Sequence, residues 1–273
     1  MAKGGLIMVD FADFEAYLIE EELSRNTINS YLFSANSFFE IYGEVNKTNL
    51  VKWKNYLVGS LSPKTVNLRL CGMRKYCEFK EIPFSVKQVR VQKTTSVENV
   101  MTIEQFNTLI NGLKRDNEIK WVVYYSMLAK TGARISELLK MKKKDIDNGF
   151  AEMHTKGKIR KILFPKSLIE ETKDFFEELN AEDYLCVNKY GKQISTRGFA
   201  TMLQKHAKKY GIPIENAHPH SLRHLFAIEF LKRNNNISLL ADLLGHSGVN
   251  TTMIYLRMSQ EQQADALNNA VDW

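Results

Sequence analysis

Between His218 and Leu256 the chain reads His-Pro-His-Ser-Leu-Arg-His, then Leu-Leu-Gly-His-Ser-Gly, and finally Thr-Thr-Met-Ile-Tyr-Leu. Those residue types suit phosphate chemistry better than packing. An arginine fork holds phosphate oxygens in a fixed plane, an imidazole moves protons near neutral pH, and a phenol attacks phosphorus once its proton is removed. Upstream, Arg134 follows the break at Thr131-Gly132-Ala133 and opens the run Ile135 to Leu139, so its guanidinium projects from a rigid element. Alone, Arg134 reads more readily as an ordinary exposed arginine than as a functional one.

The elements that must position these side chains are legible from apolar spacing and capping residues. Four helical patterns come first. One runs through Phe11, Phe14, Tyr17 and Leu18. A second, capped by Ser24 and closed by Gly43, carries Ile28, Leu32, Ala35, Phe38 and Phe39. Thr48 opens a third through Leu50, Trp53 and Leu57. Ser62-Pro63 starts a fourth through Val66, Leu70, Met73 and Tyr76, because proline at the first helical position loses no hydrogen bond. From Pro83 to Val100 the periodicity fades into a basic, Ser/Thr-containing stretch, as expected of an extended linker.

Beyond it, Thr102 and Gln105 form a capping box ahead of Phe106, and an apolar helix is predicted over Trp121–Leu128. Phe150–His154 and Ile159–Phe164 flank Lys156-Gly157-Lys158 and predict a β-hairpin with a basic tip. Helices follow over Ser167–Leu179, Ser195–Tyr210, Pro219–Arg233 and Ile237–Leu244, then a short turn at Thr251–Tyr255 and a polar tail, Gln260–Val271. The expected fold is mainly α with a small β-sheet: an N-terminal helical domain over 1–90, a linker over 91–100, and a mixed α+β domain over 101–273 ending in a tail helix.

At 273 residues the chain is long enough for two cores. Its net charge of +7 favours a polyanionic partner without proving one. The charge is uneven. Asp10, Asp13, Glu15, Glu20, Glu21 and Glu22 crowd the first helix, while Lys52, Lys64, Arg69, Arg74 and Lys75 populate the third and fourth, and Lys87, Arg90 and Lys93 the linker. The basic face is either a solvated surface or a DNA-facing one, and the asymmetry tilts toward DNA. No apolar run reaches the roughly 18 residues of a membrane span, and no secretory signal precedes the first helix. A cytoplasmic, nucleoid-associated protein with no membrane partner is expected. Cys71, Cys77 and Cys186 lack metal-like pairing and read as reduced, mostly buried thiols.

Thr-Gly-Ala-Arg-Ile-Ser-Glu, His-Ser-Leu-Arg-His, Leu-Leu-Gly-His-Ser and a downstream tyrosine occur here in one order, and in that order the chain resembles the tyrosine recombinases, the phage integrases and Xer-like enzymes. Each box is weak alone; the ordered set is specific. The resemblance covers nearly the whole chain and implies a core-binding (SAM-like) DNA-binding domain over 1–90 and a catalytic domain over 101–273. Residue by residue, Arg134 and Arg223 match the two arginines that clamp the scissile phosphate. His220, three residues before Arg223, matches the histidine suited to accept the tyrosine proton. His246 matches the histidine that bonds the phosphate, and Tyr255, nine residues further on, matches the nucleophile. Lys156 is the best match for the hairpin lysine that protonates the leaving 5′ oxygen, ahead of Lys158 and Lys161, and Lys158 otherwise reads as a DNA contact. His224 matches a position with a supporting structural role.

The function so implied is site-specific recombination through a 3′-phosphotyrosyl intermediate and a Holliday junction, with no metal, ATP or other cofactor. Partners implied are double-stranded DNA bearing paired half-sites and a homotetramer on it. Ala264, Leu267 and Val271 in the tail form a small apolar stripe that docks either on a neighbouring subunit or back in cis. No arm-binding module is expected ahead of the core-binding domain. Competing readings are a type IB topoisomerase or hairpin resolvase, a noncatalytic DNA binder, and a metal-dependent hydrolase using His220 and His224, four residues apart. The last lacks a His-Glu-x-x-His motif, and nearby arginines would repel a cation. His154, His206 and His218 read as buried, satisfied histidines.

Overall fold

The structure is a computed structural model that describes residues 11–91, 99–155, 158–246, 248–256, 268 and 271. It divides into two compact units, Met1–Lys93 and Thr94–Trp273.

In the first unit four helices form one core: α1 (Ala12–Glu20), α2 (Arg25–Phe39), α3 (Lys47–Ser60) and α4 (Pro63–Phe79). Ser24 and Ser62 cap α2 and α4, each accepting a backbone N–H three residues on. The cap of α3 is Asn46 rather than Thr48: its side chain accepts the N–H of Asn49 at 2.9 Å, which starts the helix one residue before Thr48 and follows the preference of asparagine for that role. Trp53, Phe14, Phe38, Leu70 and Met73 are buried, and Tyr76 meets Phe14 and Phe39 edge-on. That interleaving of rings fixes the bundle more tightly than helix propensity could.

The second unit begins with α5 (Ile103–Arg115), whose Thr102/Gln105 capping box is present, and α6 (Ile119–Thr131). α6 is buried nearly all round and forms the central post of this core. Gly132 ends it at φ 62°, in the left-handed region, and any Cβ there would run into the Phe226 ring, so glycine serves both backbone and packing. Two short helices follow, α7 (Ile135–Leu138) and α8 (Lys143–Asp147), then the hairpin of β1 (Phe150–Thr155) and β2 (Lys158–Leu163), antiparallel with Phe150 opposite Leu163. This two-stranded sheet is the only one among the described residues.

The remaining helices are α9 (Lys166–Phe176), α10 (Thr196–Lys209), α11 (Pro219–Arg233) and α12 (Ile237–Leu244). Two 3-10 turns, Val249–Thr251 and Met253–Leu256, close the described chain apart from Asn268 and Val271. The expected tail helix therefore lies outside the described residues, as do Lys93 and Lys156. α11 and α12 share a small apolar cluster of Ala227, Leu231, Leu240 and Leu244, against which Tyr255 packs. The described cysteines are free thiols, two buried and Cys71 half-buried. No described helix is long and apolar enough to cross a membrane.

Candidate active site

The site is organised by the end of α12. The last carbonyls of a helix have no partner within it and carry its negative dipole end. Here three successive carbonyls each receive a different arginine. Arg160 Nη2 donates to Leu243 O at 2.6 Å, Arg223 Nη2 to Leu244 O at 2.6 Å, and Arg134 Nη2 to Gly245 O at 3.4 Å. Gly245 adopts φ 62°, and a Cβ there would strike the Arg160 side chain. Leu-Leu-Gly-His is thus the sequence of a helix end gripped by guanidinium groups, with glycine required at its turn.

Each arginine is fixed a second time. Arg223, buried within α11, also donates to Gly132 O at 2.7 Å, so it ties the ends of α6 and α12 together. Arg134 is the N-cap of α7; its backbone N–H and Nη1 both reach Glu137. Glu137 also accepts Arg160 Nη1 at 2.6 Å, and these two side chains are 6% and 8% exposed. One carboxylate thus faces three guanidinium groups, leaving an uncompensated positive charge in a partly desolvated pocket. Burial first, and the charges of Arg134 and Arg160 second, push the Arg223 guanidinium down to about 10, so it remains cationic at neutral pH. Such a pocket suits an anion.

His246 joins from the turn after α12. Its Nε2 lies 3.1 Å from Arg223 Nη2 and its Nδ1 2.8 Å from the hydroxyl of the buried Thr252. Because a guanidinium only donates, Nε2 is the acceptor and Nδ1 carries the hydrogen, which it gives to Thr252. Burial, followed by the charges of Arg223, Arg134 and Arg160, lowers His246 to about 4. It is neutral at pH 7.

Tyr255 stands on the last 3-10 turn, half-buried. Its Oη lies 2.6 Å from His224 Nδ1, one turn along α11 from His220. Burial raises the phenol's pKa, and Arg223 pulls it the other way. His220 is exposed at the mouth, its ring 6.3 Å from that of His224; partial desolvation and then Arg223 lower its pKa. The tyrosine's direct imidazole partner is thus His224, while no hydrogen bond joins His220 to Tyr255 among the described residues. His218 caps α11, accepting the Ser221 N–H at 3.0 Å.

The other candidates fall as follows. Lys156 lies outside the described residues, and of Lys158 only the backbone, in β2, is described. Lys161 pairs with Glu152 at 3.3 Å. In the first unit Lys52, Lys64 and Arg74 are exposed on α3 and α4, Lys87 and Arg90 on the extended segment after them. Arg69 stacks on Phe33, its Cζ 4.1 Å from the ring. Lys75 is held by Glu21 at 2.8 Å and Glu78 at 3.0 Å, which leaves its charge locally neutralised. His206 is buried and bonded to Tyr125 at 2.9 Å, as expected of a satisfied histidine. His154, by contrast, is exposed on β1, and His218 is half-buried as a cap. No metal-ligand cluster occurs among the described residues.

Sequence reasoning overlooked Glu137, Arg160 and Thr252. Glu137 lay in the capping-box position after Arg134, and Arg160 in a β-strand where it shares the buried face with Ile162 beside an exposed Ile159; neither spacing reveals that they meet. It also passed over Lys140, Lys142 and Lys144, which with Arg134 and His154 line a cleft of about 800 Å³. The run Lys-Met-Lys-Lys-Lys was the available signal. Lys142 and Lys144 both bond Glu182.

A family model described as the phage integrase family matches residues 99–262, which contain every residue of the arginine, histidine and tyrosine set. The chain belongs to the phage integrase family. It is 28% identical to the tyrosine recombinase XerA of Thermococcus kodakarensis over 94% of both chains. With the tyrosine recombinase XerC of Lactobacillus leichmannii the identity is 30%, over 91% of this chain and 78% of the relative. Among solved structures, the XerH site-specific recombinase in a post-cleavage complex with palindromic difH substrate has the same fold, with TM-score 0.73 and 18% identity, covering 91% of this chain and 81% of that one. A lambda integrase (75–356) dimer bound to a COC′ core site gives TM-score 0.73 at 15% identity, covering 91% and 94%.

The buried ion pair at this family's site carries a prediction for stability. Glu137→Gln leaves Arg160 with no counter-charge, and breaking such a buried pair costs about 3–5 kcal/mol. In the folded protein the arginines and the Arg134 backbone N–H hold the Glu137 carboxyl below its ordinary value, outweighing burial, the largest single influence, which acts to raise it. A depressed carboxylate stabilises the fold above its unfolded pKa and loses that contribution as pH falls through the folded one. Thermal stability of wild type should therefore fall from the ordinary carboxylate range downward, and Glu137→Gln should flatten that acid limb. An unchanged limb would remove Glu137 from the account.

Proposed function

We propose that the protein is a site-specific DNA recombinase that cleaves and rejoins strands through a 3′-phosphotyrosyl bond to Tyr255. The observation that carries this is the meeting of Arg134, Arg223 and His246 at the end of α12, with Tyr255 close enough to feel the Arg223 charge. A phosphodiester seated against those two guanidinium groups would balance their charge. The same groups stabilise the extra negative charge of the pentavalent transition state, the role that arginine or magnesium takes in other phosphoryl-transfer sites. Each step exchanges one phosphoester for another, so no high-energy cofactor is required and the task is positioning and charge stabilisation. Lys156, or Lys158 beside it, is the proposed donor to the leaving 5′ oxygen.

The first unit is the proposed core-binding domain, with Lys52, Lys64, Arg74, Lys87, Arg90 and Lys93 on phosphates; Lys75, already paired, contributes less. The proposed assembly is a homotetramer on paired half-sites. An apolar cleft of about 600 Å³, floored by Phe106, Leu225, Phe226 and Phe230, suits a tail carrying Ala264, Leu267 and Val271. Deleting 260–273 should abolish assembly on two-site DNA in sedimentation while each protomer still binds one half-site; assembly that survives the deletion would exclude this tail.

The test is capture from a pool of randomised duplexes nicked one to three bases from each potential cleavage point, so that cleavage releases a short fragment and traps the protein. A denaturation-resistant adduct is expected, undiminished in EDTA. Loss in EDTA would revive a metal-dependent reading.

A further inference from the structure

Resting on the recombinase reading, the geometry points to a catalytic role for His224: we propose that it takes the proton from Tyr255 Oη as the nucleophile attacks and returns it when the strand is rejoined. The residue that matched the proton acceptor by sequence, His220, is bonded to nothing at the phenol among the described residues. His224 holds the phenolic oxygen at 2.6 Å, within the reach that proton transfer needs.

The direction of that hydrogen bond follows from the two partners. A phenol is the better donor and an uncharged imidazole the better acceptor, so Oη–H gives to Nδ1 provided His224 is neutral. It is: burial first, then His220, His218, Arg223 and His246, lower it to about 4. The groups facing it are those residues of α11 and the turn after α12, together with Tyr255 itself, whose ring lies 5.5 Å away. No carboxylate is among them, so among the described residues nothing draws a proton onto His224 in competition with the phenol. Arrival of the phosphodiester changes the field. Its negative charge, increasing in the transition state, favours the imidazolium, and the site gains basicity when it is needed.

The proton count closes. As the Oη–P bond forms, the Oη–H proton passes to His224 Nδ1, and as the P–O5′ bond breaks, the leaving oxygen takes a proton from the lysine on the hairpin. In rejoining, the incoming 5′ hydroxyl returns its proton to that lysine as the P–O5′ bond re-forms, the P–Oη bond breaks, and Oη recovers its own proton from the His224 imidazolium. A pair of groups that exchange roles in this way suits a reaction that must run equally well in both directions.

The experiment compares wild type, His224→Asn and His224→Phe in single-turnover adduct formation on the captured nicked duplex between pH 5 and 10. Asparagine keeps a hydrogen-bonding atom near the Nδ1 position without its basicity. Expected is a loss of about 10²–10⁴-fold at pH 7 for His224→Asn, recovering as pH rises toward phenol ionisation, while the wild-type rate varies little over the same range. A loss of the same size at every pH, or none, overturns the proton-transfer role. An absence of adduct from wild type defeats the recombinase reading instead, so the two failures are distinct. Imidazole ¹⁵N shifts in the DNA-free wild-type protein do not depend on any variant folding: His224 Nδ1 should be unprotonated and hydrogen-bonded, and should change in Tyr255→Phe. A protonated Nδ1 in wild type would also overturn the proposal.

Discussion

Tyr255→Phe is expected to lose covalent adduct formation by on the order of 10⁴-fold or more, the scale on which a nucleophile's removal is felt, while DNA affinity changes little. The substitution removes one oxygen. Phenylalanine keeps the ring that packs against the small α11–α12 cluster, so the turn Met253–Leu256 should hold its place. What disappears is the only atom of that side chain able to attack phosphorus, along with the bond to His224 Nδ1. The check is a gel-shift titration beside a denaturing gel on the same nicked duplex. Equal adduct in both proteins would move the nucleophile to another residue.

Arg223→Lys is the second large effect, expected at about 10²–10³-fold on cleavage, the loss that follows removal of one preorganised donor at a developing charge. Lysine keeps the positive charge. It cannot keep the fork that reaches Gly132 O, Leu244 O and His246 Nε2 at once. Each buried acceptor left unmade costs about 1–3 kcal/mol, so the variant should also unfold at lower temperature, and a drop in Tm without a drop in cleavage would mean that Arg223 serves the fold alone. Because Nε2 of His246 accepts from Arg223 in the resting state, the substitution should also change the hydrogen bonding of that nitrogen. The ¹⁵N shifts of His246 would report it.

How much of this was legible in the sequence differs by residue. α11 and α12 fall where Pro219 and the apolar spacing placed them, because local signals fix a helix's ends. The capping box at Thr102 was readable for the same reason, whereas the start of α3 was not: Asn46 and Thr48 are both good caps, and the choice between them lies in the turn before the helix. The arginine, histidine and tyrosine set was recognised from order and spacing, which say that residues belong together without saying which atoms touch. Burial of Arg160 beside Glu137 depends on β2 lying against the end of α12, a contact between segments 83 positions apart, and no local pattern encodes it. The exchange of His220 for His224 as the phenol's partner is a matter of one helical turn. Spacing of three or four residues puts both on one face; only the position of the last turn decides which of them the tyrosine meets.

The central claim is most directly met by digesting the trapped adduct and locating the nucleotide by mass spectrometry. The account predicts a single modified peptide with a 3′-linked nucleotide on Tyr255 and a free 5′ hydroxyl on the released strand. A nucleotide joined through its 5′ phosphate, or one carried by any of the other tyrosines, would contradict it.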